Sequence, residues 1–311
     1  MIVITGGSGY VGSHMVRRLA ESDQPVRALV RSQARAEKEG RLEGLPVEWV
    51  EADVTRPETL TRALEGATAV VHTVAIAIEK GGRKYEEINF QGTVNVLEAC
   101  KAAGVRRFIN LSQLGADAQL PYRFLASKGK AQEYVSASGL EWTAFYPSVI
   151  WGPEDEFANT FARLVPLSPL IYPIVDKNAR FQPVWVEDVV TALVKSLDDR
   201  TTIGQGYELG GPEVLTLEEI ERRTLAAIGA RRLLVPLPRP VLTLVVTLME
   251  ALLPAPPVTR SLLELLAVDN VPKHNAIQRF VAEPRPFSSD NIAPYMRQFR
   301  AGQTLARFFN R

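Results

Sequence analysis

Short apolar runs alternate with segments of helical periodicity along the first half of the chain. Such runs, bounded by glycine or polar residues, are typical of strands buried on both faces of a parallel sheet. The predicted strands are Ile2–Thr5, Val26–Val30, Val47–Val50, Ala69–Ala75, Phe108–Ser112 and Thr143–Pro147. Helical patterns between them cover Tyr10–Ala20, Glu58–Leu64, Phe90–Ala103 and Ala126–Ser138. Because alternating strands and helices form right-handed crossovers, we expect an α/β fold: a doubly wound parallel sheet with helices on both faces.

The pattern changes after residue 150, where proline becomes frequent. A helix is predicted over Val184–Leu197, a short strand over Tyr207–Leu209, and another helix from Thr216 to near Ile228. Two segments, Thr55-Arg56-Pro57-Glu58 and Thr216-Leu217-Glu218-Glu219, have the spacing of a capping box that begins a helix. The expected organisation is a first domain over 1–150, to which segments within 180–210 return, and a smaller, mostly helical C-terminal part over 151–311.

Two segments of the C-terminal part are candidates for a docking surface. The apolar run Val241–Leu253 contains Glu250 and is shorter than the roughly 20 residues that span a bilayer. It predicts either a buried helix or a face that docks on a partner or a membrane. The tail, Arg297–Arg311, interleaves arginines with apolar residues and has no acid. It predicts either a packed helix or an interfacial helix on anionic lipid.

Composition and charge exclude several classes of protein. The 36 basic and 35 acidic residues leave a net charge of +1, which gives no global attraction to nucleic acid. The single cysteine, Cys100, excludes an intramolecular disulfide and favours a reducing, cytoplasmic setting. Peripheral attachment at the inner face of a membrane stays open. The histidines, His14, His72 and His274, lie far apart in the sequence, so no metal site is predicted.

A glycine-rich turn follows the first predicted strand and begins the first predicted helix. Gly7 to Gly12 fits the pattern G-x-G-x-x-G, and Gly6 adds a second glycine spacing of three. Glycine permits a tight turn and a close approach of the backbone to a diphosphate, which the helix N-terminus then favours electrostatically. The turn therefore predicts a dinucleotide site. Its residues are Gly6, Gly7, Ser8, Gly9, Tyr10, Val11 and Gly12.

Arginine and serine follow the second predicted strand, where an NAD site usually places an acid. The chain there has Arg31 and Ser32, with Arg35 nearby. Guanidinium groups form charge-assisted hydrogen bonds with a phosphate, whereas a carboxylate repels it. These residues predict NADP(H) in preference to NAD(H), the alternative being that Arg31 is an ordinary solvated strand end.

Two further strand ends supply candidate cofactor contacts. Asp53 and Val54 follow the third strand, where they would bond the adenine amine and cover its ring, or else Asp53 is a turn residue only. Val74, Ala75 and Ile76 end the fourth strand, and their backbone is expected to line the edge of the cofactor.

Several stretches resemble a known superfamily, the short-chain dehydrogenase/reductases. Thr5–Gly12 is similar to the opening of its extended and atypical branches, and Asn89–Asn95 resembles the helix after their fourth strand. Tyr146–Asp155, Pro183–Val189 and Gly210–Thr216 resemble the atypical branch that includes the 39 kDa accessory subunit of respiratory complex I and its bacterial relatives. The resemblance implies a Rossmann fold and cofactor contacts at Tyr146, Pro147, Ser148 and Val149. It also implies a structural or regulatory NADP(H) and a respiratory or quinone-related partner.

The resemblance also implies a catalytic set that this chain only partly matches. Active members use Tyr-x-x-x-Lys, which puts both side chains on one helix face, and an upstream serine. The matching residues here are Phe124, Lys128 and Ser112, and phenylalanine has no proton to donate. Tyr122 would serve only if the helix begins after it and the loop bends back. Lys128 remains available to bond the nicotinamide ribose.

Two functions therefore stay open. The first is an NADP(H)-binding protein with weak or no dehydrogenase activity, whose cofactor is structural or regulatory. The second is an active NADPH-dependent reductase or epimerase-type enzyme on a small apolar substrate, in which Ser112, Tyr122 or a water handles the proton. Apolar residues beyond the first domain would wall the pocket of such an enzyme or simply form core. These are Phe157, Phe161, Leu164, Leu167, Ile171 and Tyr172.

Overall fold

The computed structural model describes residues 1–167, 170–174, 176–252, 259–260, 263, 266 and 269–299. The strands are β1 (Ile2–Thr5), β2 (Val26–Val30), β3 (Glu48–Glu51), β4 (Ala69–His72), β5 (Arg107–Leu111), β6 (Glu141–Pro147), β7 (Ile150–Trp151), β8 (Ile171–Ile174), β9 (Arg180–Phe181), β10 (Val184–Trp185), β11 (Gln205–Leu209), β12 (Leu215–Thr216) and β13 (Leu233–Pro236). The helices are α1 (Tyr10–Ala20), α2 (Gln33–Glu39), α3 (Pro57–Ala63), α4 (Gly92–Ala102), α5 (Arg123–Ala137), α6 (Ala158–Leu164), α7 (Val186–Asp198), α8 (Leu217–Ile228), α9 (Arg239–Leu252), α10 (Ile277–Phe280) and α11 (Ser289–Met296). A π-helix, Glu86–Gln91, leads into α4.

The chain divides into two compact units, each made of several segments. The first unit comprises Met1–Pro147, Val186–Leu209 and His274–Ala282. The second comprises the described parts of Ser148–Trp185, Gly210–Lys273 and Glu283–Arg311.

A parallel sheet of seven strands, counted over the described residues, forms the centre of the first unit. Its order is β11-β6-β5-β4-β1-β2-β3, and every pair is parallel. Helices α1 and α7 contact each other, while α3, α4 and α5 contact one another in succession. The predicted doubly wound α/β fold is confirmed. Because the strand order reverses at β1, between β4 and β2, the crevice beside its carboxyl end is where such sheets bind ligands.

Burial explains why the central strands are recognisable from the sequence. Val3 and Ile4 of β1 and Val70 and Val71 of β4 are all fully buried, as a central strand with helices on both faces requires. The α1 bounds, Tyr10–Ala20, coincide with the predicted helix. Its buried Met15, Val16 and Leu19 follow the predicted helical spacing.

One predicted helix start is wrong and another is confirmed. Thr55 does not cap α3, because it lies one residue before the N-cap position and its hydroxyl and backbone N–H are directed to the Asp53 carboxylate, to which both donate. The residue before α3 is Arg56, which has no side-chain capping bond. At α8, in contrast, Thr216 and Glu219 form the complete capping box. The helix that was predicted to begin at Val184 begins two residues later in the structure, at Val186, because Val184 and Trp185 pair with β7 as a strand.

The second unit consists of short strand pairs and helices around an aromatic core. β10 pairs with β7, β12 with β9, and β13 with β8. The Trp151 ring is fully buried, 4.4 Å from the Trp185 ring and 5.4 Å from the Phe287 ring. Of the six residues predicted to wall a substrate pocket, Phe157, Phe161 and Tyr172 belong to this core. No helix within the described residues is both long and apolar enough to cross a bilayer.

Glu221 is an acidic residue that is buried in the second unit. It is 2% exposed, and its Oε2 atom has no hydrogen-bond partner among the described residues. Burial raises the pKa of this carboxyl well above its ordinary value of 4.5. The folded protein therefore keeps a proton that the unfolded chain releases, so the free energy of unfolding falls as pH rises above 4.5.

We expect Glu221→Gln to raise stability at neutral and alkaline pH by removing this proton linkage. In wild type this linkage lowers the free energy of unfolding by up to about 1.4 kcal/mol per pH unit, and the variant should lack that slope. Urea unfolding from pH 7 to 8 measures it, because the Asp155 carboxyl, whose pKa burial raises to about 6, is mostly ionised by pH 7. Glu218→Gln, on the same helix but paired with Arg222, is the matched control. Parallel pH profiles of wild type and Glu221→Gln would contradict this account.

Candidate functional site

The turn between β1 and α1 is tight because glycine occupies its close contacts. Gly6 has a φ of +74°, and its carbonyl accepts a hydrogen bond from the Gly9 N–H at 2.8 Å. A Cβ at Gly12 would lie 2.1 Å from the Gly6 carbonyl oxygen, and one at Gly7 would lie 2.7 Å from the Ala28 Cβ. Gly9 precedes α1 without a side-chain cap, so the first backbone N–H groups of the helix are not taken by a capping side chain. This geometry fits a bound diphosphate.

The end of β4 lies directly beside this turn. The Thr73 hydroxyl donates to the Thr5 carbonyl at 2.8 Å, and Val74 Cγ2 would lie 3.1 Å from a Cβ at Gly6. Ala75 is exposed, while Ile76 is buried with its N–H bonded to the Asn89 side chain. The structure therefore brings the predicted β4 residues next to the predicted phosphate turn.

A buried histidine fixes the ends of β1 and β4. Hydrogen bonds join His72 Nδ1 to Thr5 Oγ1 at 2.7 Å and His72 Nε2 to Thr93 Oγ1 at 3.0 Å. Burial, followed by the nearby Lys128 charge, lowers the His72 pKa to about 3. The ring is therefore neutral at physiological pH, and its role here is to tie two strands to α4.

The residues after β2 form the start of α2. Ser32 caps this helix, because its hydroxyl accepts from the Arg35 N–H. The Arg35 side chain is exposed and pairs with Glu39 at 2.9 Å, whereas Arg31 is exposed at the strand end. A carboxylate also lies here, since Glu51 of β3 accepts from the Gln33 N–H at 2.7 Å.

Arg83 is a cation at this edge that the sequence did not reveal. It is half-buried, and its Nε makes no hydrogen bond to any described residue. Burial and then the charges of Arg31 and Arg35 lower the Arg83 pKa, and the Asp53 charge opposes that shift. Three guanidinium groups therefore share one electrostatic environment. Arg83 lies in the loop after β4, and no motif marks such a loop residue.

Asp53 and Val54 follow β3, as predicted. One Asp53 carboxylate oxygen accepts from the Thr55 N–H at 2.9 Å, which is the bonding of a turn residue. Val54 is buried against α4, where a Cβ at Gly92 would lie 2.7 Å from it. A role for Asp53 and Val54 toward adenine stays a prediction.

The matching catalytic positions lie around the end of β5. Lys128 is buried and donates from Nζ to the Leu111 carbonyl at 2.8 Å, and burial lowers its pKa to about 8. The buried Ser112 hydroxyl makes no hydrogen bond within the described residues. Phe124 packs edge-on against Tyr85, with ring centroids 5.7 Å apart. Tyr122 is half-buried and immediately precedes α5, so that helix does begin after it.

The four residues predicted after β6 divide between the two units. Tyr146 and Pro147 end β6, and burial followed by the Glu208 charge raises the Tyr146 pKa to about 12. Ser148 and Val149 belong to the second unit, where both bond the Asn270 side chain. Their polar groups are therefore already engaged by that asparagine, and their cofactor role stays a prediction.

A cavity of about 1020 Å³ lies elsewhere in the first unit, along α5 and β11. Tyr146 lines it, together with Gln132, Glu208 and His274, but the phosphate turn does not. Among the described residues, no group of three or more His, Cys, Asp and Glu side chains could hold a metal ion.

Comparison with known proteins identifies the family to which this site belongs. A family model described as NAD(P)H-binding matches residues 6–161, half of the 311-residue chain. The chain belongs to the NAD(P)H-binding family. The resemblance to atypical short-chain dehydrogenase/reductases is confirmed, since the relatives include a complex I subunit and several reductases.

Two relatives are similar to this chain in sequence, and one solved structure is similar in fold. A ceramide reductase of Caulobacter vibrioides is 30% identical over 77% of this chain and 74% of its own length. The mitochondrial NADH dehydrogenase [ubiquinone] 1 alpha subcomplex subunit 9 of Arabidopsis thaliana is 29% identical over 70% of this chain. This chain covers only 55% of that subunit. A UDP-glucuronic acid 4-epimerase of Bacillus cereus shares the fold, with a TM-score of 0.73 and 16% identity over 96% of this chain and 99% of its own.

Proposed function

We propose that this protein binds NADP(H) in preference to NAD(H) and that the bound cofactor is structural or regulatory. The preference is supported by Arg31 and Arg83 at the adenosine side of the predicted site, and by Ser32 where an NAD site usually has an acid. Glu51 opposes it, but its carboxylate is already engaged by the Gln33 N–H.

Each part of the dinucleotide has residues that would hold it. The first N–H groups of α1, from Tyr10 to Gly12, would bind the diphosphate, and Arg31 and Arg83 would bind the 2′-phosphate. Lys128 of α5, whose ammonium group lies beside the last residue of β5, would bond the nicotinamide ribose. NADPH supplies a hydride when it is bound to an active enzyme.

The observation that carries the non-catalytic role is the Phe124 and Lys128 pair. Phe124 packs against Tyr85, and Lys128 donates to the Leu111 carbonyl. No acidic proton exists at position 124, so a hydride transfer would leave the developing alkoxide without its usual donor. Cofactor binding does not need that proton, and one of the relatives named above is a complex I subunit.

We further propose a respiratory or quinone-related assembly as the setting, by analogy with that subunit. The C-terminal part would supply the surface for a protein partner or a membrane, and the protein would lie in the cytoplasm, attached peripherally at the inner membrane face. Residues 300–311 of the arginine-rich tail lie outside the described residues.

We expect purified protein to carry NADPH and not to oxidise it when an apolar carbonyl compound such as decanal is added. Chromatography of the nucleotide released by heat identifies the cofactor, and near-ultraviolet absorbance follows its oxidation. Phe124→Tyr is the matched variant, because it restores a phenol four residues before Lys128. Turnover in that variant alone would show that the assay detects activity, whereas rapid turnover by wild type would refute the structural role.

The alternative is an active NADPH-dependent reductase or epimerase-type enzyme on a small apolar substrate. It is favoured by the buried Ser112 hydroxyl that has no partner among the described residues, and by Tyr122 at the start of α5. A ceramide reductase among the relatives also supports it. In this case wild type would oxidise NADPH with an apolar carbonyl, and Ser112→Ala and Tyr122→Phe would each lower the rate at unchanged NADPH affinity.

A further inference from the structure

Helix α9 presents an apolar stripe, defined as Val241, Leu244, Val245 and Leu248, to the outside of the second unit. These side chains are between 44% and 61% exposed. They follow the spacing i, i+3, i+4, i+7, so they share one face of the helix. A different face carries Leu242 and Val246, which are buried. The helix is therefore held to its unit by one face while a second apolar face remains outside.

A second group of exposed apolar residues lies at the start of the paired strands β8 and β13. Leu170 and Ile171 on one side and Leu233 on the other are each more than half exposed. Leu233 pairs with Ile171 across β13 and β8, and its N–H bonds the Leu170 carbonyl at 3.0 Å. Only Leu237 and Pro238 separate β13 from α9. Most of the exposed large apolar side chains among the described residues therefore belong either to the stripe or to this second group.

Positive charge predominates in the sequence around these two groups of residues. From Gly229 to Leu248 the sequence contains three arginines, Arg231, Arg232 and Arg239, and no acid. Between Arg163 and Asp176 it contains no charged residue at all. Glu250, an acid of α9, lies nine residues after Val241 and so on the helix side opposite the stripe, where it pairs with Arg260 at 2.7 Å. An exposed apolar face whose own side of the helix carries no carboxylate, preceded in sequence by arginines, complements a surface that is apolar inside and anionic at its boundary.

We propose that the apolar stripe of α9 lies in the interface of an anionic lipid bilayer, parallel to the membrane plane. A helix of 14 residues is too short to span the bilayer but long enough to bury one face at the boundary of headgroups and acyl chains. The arginines before it would contact lipid phosphates. This inference names the partner of the proposed C-terminal surface, and it does not depend on which cofactor the first unit binds.

Co-flotation with vesicles tests the proposal directly. We expect the full chain to float with vesicles of phosphatidylcholine and phosphatidylglycerol and to bind pure phosphatidylcholine less, by about fivefold for each arginine at the surface. Leu244→Glu with Leu248→Glu should lower binding to the anionic vesicles at least tenfold. The matched control is Thr243→Glu, which adds a charge on another exposed face of the same helix and should change binding much less.

Two further measurements keep the outcomes distinct. Equal binding of wild type and the double variant, or no binding by either, would overturn the proposal. Light scattering could also overturn the proposal. If wild type is a dimer and the double variant is a monomer, the stripe binds a second copy of the chain instead. NADPH affinity, measured in the same samples, should be unchanged in the double variant. If wild type floats with the vesicles but does not bind NADPH, only the proposed cofactor function is contradicted.

Discussion

Gly12→Ala should raise the NADPH dissociation constant by at least about 100-fold, the loss of two or more charge-assisted hydrogen bonds. The added Cβ would lie 2.1 Å from the Gly6 carbonyl oxygen and 2.9 Å from its carbon. These are backbone atoms that cannot rotate away, so the turn has to open. Opening it moves the N–H groups that would bind the diphosphate. Isothermal titration with NADPH measures the effect.

Two other glycine variants separate binding from stability. In Gly9→Ala the new Cβ would lie 3.0 Å from the same carbonyl oxygen, so we expect a smaller loss of affinity in a protein that still folds. Gly66→Ala lies in a turn with a φ of +73° and open space around it. It should cost about 1–2 kcal/mol of stability through the left-handed backbone and leave NADPH binding unchanged. Wild-type affinity in Gly12→Ala would exclude the turn as the diphosphate site.

Arg31→Ala and Arg83→Ala should each weaken NADPH binding by about 10- to 100-fold, the range for one charge-assisted hydrogen bond. NADH binding should change less than twofold, because NADH lacks the 2′-phosphate that these guanidinium groups would contact. Arg35→Ala should have a smaller effect, since that side chain is exposed and already paired with Glu39. Competitive titration of both nucleotides at fixed ionic strength gives the ratio of the NADH and NADPH dissociation constants for each variant.

Lys38→Ala is the control for net charge. Lys38 is exposed on the same α2 helix and its removal changes the total charge equally. If all four variants weaken NADPH and NADH by the same factor, the arginines act through general electrostatics and the NADP preference is wrong. An increased affinity in Glu51→Gln would be consistent with a phosphate near that carboxylate.

The central sheet could be predicted from the sequence because its strands are buried on both faces. Ile2–Thr5 and Val26–Val30 coincide with β1 and β2, and the glycine turn follows β1 where expected. Edge and end positions were harder. The fourth strand ends at His72 rather than Ala75, since Thr73 already bonds back to the Thr5 carbonyl.

Residues that tertiary structure brings to the site could not be predicted. The charges of Arg31 and Arg35 affect the Arg83 pKa because of where the loop after β4 lies, and in that loop Glu79 bonds both the Tyr85 N–H and Arg123. The predicted Thr55 cap is wrong for a similar reason, because α3 begins after Arg56 and the Thr55 hydroxyl is directed to the Asp53 carboxylate. The apolar run Val241–Leu253 predicted a helix, which α9 confirms as far as Leu252, but the run left open which faces were buried; Leu253 lies outside the described residues.

The last piece of the first unit has a consequence for how the protein is made. Within His274–Ala282, the Phe280 ring packs 5.3 Å from Phe145 and 5.2 Å from Tyr207, and its carbonyl accepts from Lys195. A ribosome that adds about 5–20 residues per second takes roughly 4 to 15 seconds to pass from Leu209 to Ala282. During that interval the nascent chain has its edge strand β11 without this cover. Such an edge is open to intermolecular pairing, so chaperone binding would be most useful at this stage of translation.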